Sequence, residues 1–308
     1  MKLALTIIAI VLVALLAIAY WLWTPDRSRA DLEARYLNSP TDLIEVAGAL
    51  MHVRDSGPRD APAIIMLHGF GSSLHTWEAW AGSLSDAFRV IRFDLPGSGL
   101  SPPDPTGDYT DARSLQLLAA LMDQRDVAKA SLIGNSIGGR IAWSFAADNP
   151  ARVAKLVLVS PDGFASPGFA YGHKPEVPRV AQLMRYMLPR VLVGMNLAPA
   201  FGDRAAMTDD LLTRYYDLML APGARDAMIA RMEQTVLRDP VPLLPRIQAP
   251  TLLLWGELDR LIPITNAADY LKLVPHARLV RLPGIGHVPQ EEAPAASLAP
   301  VRAFLSEP

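Results

Sequence analysis

The chain contains no cysteine. That excludes disulfides, thiol nucleophiles and cysteine-ligated metals, and it fits a reducing or an oxidising compartment equally. Excess charge of either sign is also missing. The 29 basic and 31 acidic residues leave a formal net charge of -2, which gives no reason to expect a nucleic-acid partner. No P-loop or dinucleotide fingerprint occurs, so no cofactor is implied. His52, His75, His173 and His276 lack metal-ligand spacing and read as structural or surface residues, so no metal is implied either. No internal repeat of roughly 20–50 residues is apparent. What the chain does have is apolar mass, at 51% of its 308 residues, with part of the excess at the N-terminus.

Residues 3–23 carry no charged side chain and end in Tyr20, Trp21 and Trp23. As a helix the stretch would extend about 31 Å, enough to cross a bilayer core, with aromatics at one interface. The rival reading is a cleaved secretory signal, because Ala17-Ile18-Ala19 has the A-x-A form. The apolar run is longer than a usual signal core and continues past that site, which favours an uncleaved single-pass anchor over residues 1–24. Lys2 on one side and Arg27 with Arg29 on the other give only a slight lean, toward a globular part outside the cytoplasm. A polar linker follows over 25–40, with a helical turn or two around Leu32, Tyr36 and Leu37.

From residue 41 to 160, strand and helix patterns alternate. Apolar strands are expected at 43–46, 50–54, 63–67, 89–93, 131–133 and 155–159, and helices at 76–87 and 110–125. This alternation means a mostly parallel α/β sheet covered on both faces, with ligands above the carboxyl ends of the strands. Over 161–245 the alternation stops. That stretch holds aromatics such as Phe169, Tyr186 and Tyr215, and seven of the 11 methionines: Met184, Met187, Met195, Met207, Met219, Met228 and Met232. It reads as a helical lid, an adaptable apolar cover over a site. The sheet resumes over 246–308, with strands at 251–255 and 278–282 and a last helix at 295–305.

The chemistry centres on Gly134-Asn135-Ser136-Ile137-Gly138, where a short apolar strand meets a helical pattern. A strand that turns at once into a helix holds its apical serine in a tight turn, and a Cβ at either flanking glycine would collide across it. The helix N-terminus adds amides and a positive dipole end suited to a developing oxyanion. Serine needs a base near neutral pH, and the base needs a carboxylate to fix its tautomer. Asp259 and then His287 follow in chain order, each after a strand, so all three residues fall at one edge of the inferred sheet.

With His68-Gly69-Phe70-Gly71 and Asp94-Leu95-Pro96-Gly97-Ser98-Gly99 also in place, residues 41–308 resemble the α/β-hydrolase family, in its serine-nucleophile branch. The resemblance implies an eight-stranded, mostly parallel sheet with an inserted lid. It implies Ser136 as nucleophile, Asp259 as acid and His287 as base. The oxyanion hole would be formed by the amides of Phe70 and Ile137. Glu257 and Asp162 stand as alternative acids, His68 as support for the oxyanion loop, and Asp94 as a turn brace. Relatives that open epoxides or displace halide use aspartate at the elbow, so serine points to carboxylic ester hydrolysis, here of small-to-medium apolar esters. Carbon–carbon bond hydrolases of ring-cleavage products share Gly134-Asn135-Ser136. They differ in the oxyanion loop, where this chain has Phe70-Gly71-Ser72-Ser73, and after the base, where it has Val288 in place of tryptophan. A hydrolase-fold binding protein without catalysis is the third reading. Oligomeric state is not legible in the sequence.

Overall fold

The computed structural model describes residues 2–166 and 170–308; in the N-terminal helix the side chains at 3, 4, 15, 16, 18, 19 and 21 also lie outside the described residues. So does Phe169, counted above among the lid aromatics.

Eight strands form one sheet: β1 (Leu43–Val46), β2 (Ala49–Ser56), β3 (Ala63–Leu67), β4 (Arg89–Phe93), β5 (Ala130–Asn135), β6 (Val153–Val159), β7 (Thr251–Gly256) and β8 (Arg278–Leu282). Their order is β1-β2-β4-β3-β5-β6-β7-β8. β2 runs antiparallel to both neighbours, and from β4 to β8 every pairing is parallel. This is the mostly parallel sheet expected. The continuous apolar runs mark strands covered on both faces. Along them, side chains alternate between two cores. Ile65, Leu67, Leu132, Leu253 and Trp255 pack with the helices Asp111–Gln124, Ile137–Asp148 and Ala267–Leu273. Ile64, Met66, Ile133, Leu252 and Leu254 pack with Glu78–Leu84 and Pro294–Ser306 on the other side.

Local chemistry accounts for several boundaries. Thr110 caps the helix Asp111–Gln124 by accepting from the Arg113 amide at 3.2 Å. The first hairpin is tighter than the loop expected over 47–49. Val46 pairs with Ala49, and Ala47 and Gly48 both take positive φ, 46° and 82°, as a two-residue turn matching the strand twist requires. The helix expected over 76–87 is split into a 3-10 turn, Leu74–Trp77, and the helix Glu78–Leu84.

The segment over 25–40 is not a free linker. Its helix Arg29–Tyr36 lies on the lid, with Leu32 buried against Leu100 and Leu218. The buried Asp217 carboxylate accepts from Arg35 at 2.7 Å and from the Tyr36 hydroxyl at 2.9 Å. A carboxylate out of water needs such donors, and it finds them some 180 positions away in sequence.

Before this segment lies the helix Lys2–Leu22, 21 residues long. Its apolar side chains Leu5, Ile7, Ile8, Ile10, Val11, Leu12 and Val13 are 50–65% exposed. Counted on the described residues alone, no helix is long and apolar enough to cross a membrane. The spanning expectation for residues 3–23 falls partly on side chains outside those residues.

His75, read from sequence as structural or surface, is buried beside Arg54 and the Tyr36 carbonyl. Burial pushes it down from 6.5 to about 4, with Arg54 acting in the same sense and Asp94 opposing. The unfolded chain therefore takes up this proton at a higher pH than the folded one. The stabilisation is fully present above the unfolded value and is lost as pH falls through the window from 6.5 to about 4. His75→Gln should flatten the fall in stability over that window by on the order of 3 kcal/mol. Denaturant midpoints at the two ends of the window measure it, and an unchanged slope refutes it.

Candidate active site

β5 ends at Asn135, and Ser136 turns the chain with φ 56° and ψ −121°, a conformation L-residues rarely adopt. Such a residue costs on the order of 1–3 kcal/mol and persists only where its surroundings hold it. Here the Ser136 amide donates to Val159 O at 3.1 Å, and its carbonyl accepts from Arg140 and Asp162 amides, both at 3.0 Å. The flanking glycines are steric necessities. A Cβ on Gly134 would lie 2.2 Å from Gly138 O, and one on Gly138 would lie 2.3 Å from Leu67 O and 2.6 Å from His68 O. Gly138→Ala should thus push the end of β3 away from the elbow, cost about 1–3 kcal/mol by overpacking, and impair turnover together with stability. Thermal melts and ester assays on the one variant test it; unchanged values of both would show that the turn has slack.

Backbone geometry also aims the Phe70 and Ile137 amides, expected from sequence to form an oxyanion hole. The Gly69 carbonyl accepts from His68 Nδ1 at 2.7 Å and from the Ser72 amide at 3.3 Å. In a trans peptide the N–H points opposite the C=O, so anchoring Gly69 O turns the Phe70 amide the other way. The Ser136 carbonyl is anchored as described, which fixes the Ile137 amide by the same logic. Among the described residues neither amide donates to a backbone acceptor outside its own element. His68 Nε2 accepts from the Leu95 amide at 3.0 Å, so Nδ1 carries the proton. Burial pushes this imidazole down, in keeping with a neutral ring that supports the loop.

Two loops carry the remaining groups, and glycines let them touch. A Cβ on Gly256 would lie 2.1 Å from Gly286 O. This approach brings Asp259, after β7, to His287, after β8: Oδ2 and Nδ1 are 2.8 Å apart and both residues are buried. Asp259 Oδ1 is taken by the Leu261 and Ile262 amides, each at 2.9 Å, which orients the other oxygen toward the imidazole. The His287 backbone is held from both sides. Its amide donates to Ala200 O at 2.7 Å, and its carbonyl accepts from Asn135 Nδ2 at 3.0 Å, one residue before Ser136.

The alternative acids are placed elsewhere. Asp162 forms an ion pair with buried Arg140, which also holds Asp111 at 2.9 Å, and Glu257 is exposed. Asp94 is fully buried and accepts from the Leu74 and Leu100 amides at 2.6 and 2.9 Å, with His52 Nδ1 at 2.8 Å. Burial alone would raise it, but His52, with His68 and His75 beyond, brings it down to about 2. That is an ionised brace between loops.

Ser136, Asn135, Phe70 and His287 line one cavity of about 370 Å³. Its roof comes from the segment between β6 and β7, chiefly Leu188, Val193, Leu197 and four methionines, Met184, Met219, Met228 and Met232. Among the described residues, no lysine or arginine lines it. One polar corner escaped sequence reasoning. The Tyr215 hydroxyl donates to buried Glu291 at 2.8 Å and lies 3.2 Å from Ser72 Oγ. Burial and Glu291 push Tyr215 up. Glu291 lies four positions after His287, but nothing local pairs it with Tyr215.

Residues 62–294 match the family model described as the alpha/beta hydrolase fold. The chain belongs to that family. Over 246 residues this alpha/beta hydrolase is 31% identical to the magnesium-chelatase 30 kDa subunit of Rhodobacter capsulatus, spanning 78% of this chain and 86% of that protein. Over 250 residues it is 28% identical to 2-hydroxy-6-oxo-6-phenylhexa-2,4-dienoate hydrolase of Burkholderia cepacia, spanning 79% and 86%. The solved structure of a membrane phospholipase A, titled a novel bacterial virulence factor, aligns with a TM-score of 0.74 at 25% identity. That alignment covers 99% of this chain and 98% of the other. Members this similar in sequence and shape differ in chemistry, so the fold alone does not set the reaction of this alpha/beta hydrolase.

Proposed function

We propose that the protein is a membrane-anchored carboxylic ester hydrolase acting on small-to-medium apolar esters through an acyl-enzyme. The observation that carries this reading is the buried His287–Asp259 pair at 2.8 Å, with His287 on the wall of the apolar cavity that Ser136 also lines. Ser136 Oγ attacks the ester carbonyl while His287 Nε2 takes its proton. The Phe70 and Ile137 amides stabilise the oxyanion, each worth about 100- to 1,000-fold in rate. His287 returns the proton to the departing alcohol. Water, activated by the same imidazole, then releases the acid and regenerates the serine.

A cavity of about 370 Å³ is at the small end of the range for ligand sites, which suits a short or medium acyl chain. The anchor is the helix Lys2–Leu22. Among its described side chains, Leu5, Ile7, Ile8, Ile10, Val11, Leu12 and Val13 are exposed, and the likeness to the membrane phospholipase A runs through this region as well. The globular part is placed outside the cytoplasm on the charge lean noted above.

Carbon–carbon hydrolysis is the second reading, supported by the Burkholderia cepacia relative. The substrate in that relative's name is a carboxylate, which when desolvated needs a cation or several donors. The lining here offers no lysine or arginine, so ester hydrolysis ranks first. The detergent-solubilised chain should hydrolyse a chain-length series of chromogenic esters with a clear optimum and leave a ring-cleavage dienone nearly untouched. Preference for the dienone would overturn the ranking. Failure of a serine-reactive phosphonate to label Ser136 would point instead to a non-catalytic binding protein.

A further inference from the structure

The lid helix Arg190–Leu197 is apolar on both sides. Val193 is buried and lines the cavity with Leu197, while Val191, Leu192 and Met195 face outward. A lid helix bathed in water carries polar residues on its outer face, and a helix apolar all round is covered by something. The outward patch extends through Val180, Leu183 and Tyr186, and these six side chains are 47–69% exposed. A cluster of this kind marks an interaction surface.

Its position identifies the cover. The Trp23 ring, at the end of the N-terminal helix, stacks on Tyr186 with centroids 6.1 Å apart. The Thr24 amide donates to Tyr186 O at 2.9 Å, and the Leu188 amide donates to Thr24 Oγ1 at 3.1 Å. A bilayer that holds the helix therefore brings the patch to the same interface. Arg185 and Arg190 lie between the apolar positions and Arg179 just before the first of them, Arg185 and Arg190 also being paired with Asp226 and Asp209. Basic residues among apolar ones suit an anionic lipid surface. Asn196, next to Met195, is exposed and lines the cavity, so the cavity opens beside the patch.

We propose that this outer lid face docks into the lipid surface, with Val180, Leu183, Tyr186, Val191, Leu192 and Met195 entering the interfacial layer. An ester resident in the bilayer then reaches Ser136 past Asn196 without crossing bulk water. The proposal rests on the anchored reading above, and its test separates the two.

Because the chain has no cysteine, single labels are clean. Ile10→Cys, Val191→Cys, Met195→Cys and Asp60→Cys, the last in the loop before β3 at the far end of the sheet, each take a polarity-sensitive fluorophore. The full chain is reconstituted in phosphatidylcholine–phosphatidylglycerol vesicles containing brominated lipid. Labels at 191 and 195 should lose intensity to bromolipid, as the label at 10 does, and the label at 60 should not. Quenching at 10 with 191 and 195 behaving like 60 overturns lid docking and leaves the anchor intact. Quenching at 191 and 195 but not at 10 supports docking and removes the anchor. Shielding of 191 and 195 from water without bromolipid quenching identifies a second copy as the cover and overturns the proposal.

Discussion

Ser136→Ala is expected to lower kcat on soluble chromogenic esters by on the order of 10,000- to 1,000,000-fold, with KM little changed. On the proposed mechanism this hydroxyl is the attacking atom, and the other hydroxyls among the described lining residues, Ser72 and Tyr215, are engaged with each other and with Glu291. Residual turnover above the uncatalysed rate would report the oxyanion amides, which the substitution leaves in place. A companion variant separates chemistry from folding. Ser136 sits at φ 56°, where glycine is at ease, so Ser136→Gly should abolish turnover equally while raising stability by about 1 kcal/mol. Steady-state kinetics with thermal melts measure both. Esterase activity indifferent to either change would refute the mechanism.

The second large effect distinguishes two of the three carboxylates that sequence left in competition. Asp259→Asn should lower kcat about 10,000-fold, because an amide facing His287 Nδ1 favours the wrong tautomer and cannot stabilise the imidazolium. Asp162→Asn should leave kcat within about tenfold and instead destabilise the fold by roughly 2 kcal/mol. The reason is that Arg140 is buried and keeps only Asp111 as a charged partner. The reverse pattern, with catalysis lost in the Asp162 variant, would mean that His287 turns to the other acid in the working enzyme.

Much of this arrangement was legible because it is local. Gly134 announces the elbow, since the backbone clash it avoids is with Gly138, a few residues on, whereas the clash Gly138 avoids is with Leu67 and His68 at the end of β3. Thr110 announces a helix start through a bond to Arg113. The apolar runs within β3, β5 and β7 announce strands buried on both faces. Asp259 and His287 could be named because each follows a strand of one parallel sheet, and parallel strands deliver their following loops to the same edge. Methionines crowded into one segment pointed to an apolar roof, and four of the seven line the cavity.

Other features were out of reach of the sequence. The segment at 25–40 reads as a polar linker, yet Arg35 and Tyr36 complete the shell of Asp217 on a lid helix. His75 looks like any loop histidine until Tyr36 and Arg54 close over it. Tyr215 and Glu291 meet only because the lid folds back onto the turn after His287. Nothing in the order of residues at 190–197 says which apolar side chains face the cavity and which face outward. Sequence by itself determined most of the strands and helices and their order, and it nominated Ser136, His287 and a short set of acids, because φ/ψ preference, capping and periodicity act over a few residues. Tertiary structure alone decided which carboxylate His287 holds, what Asp217 binds and where the lid lies. Those outcomes depend on burial, and the burial of a charge or a ring is set by segments that only the finished fold brings together.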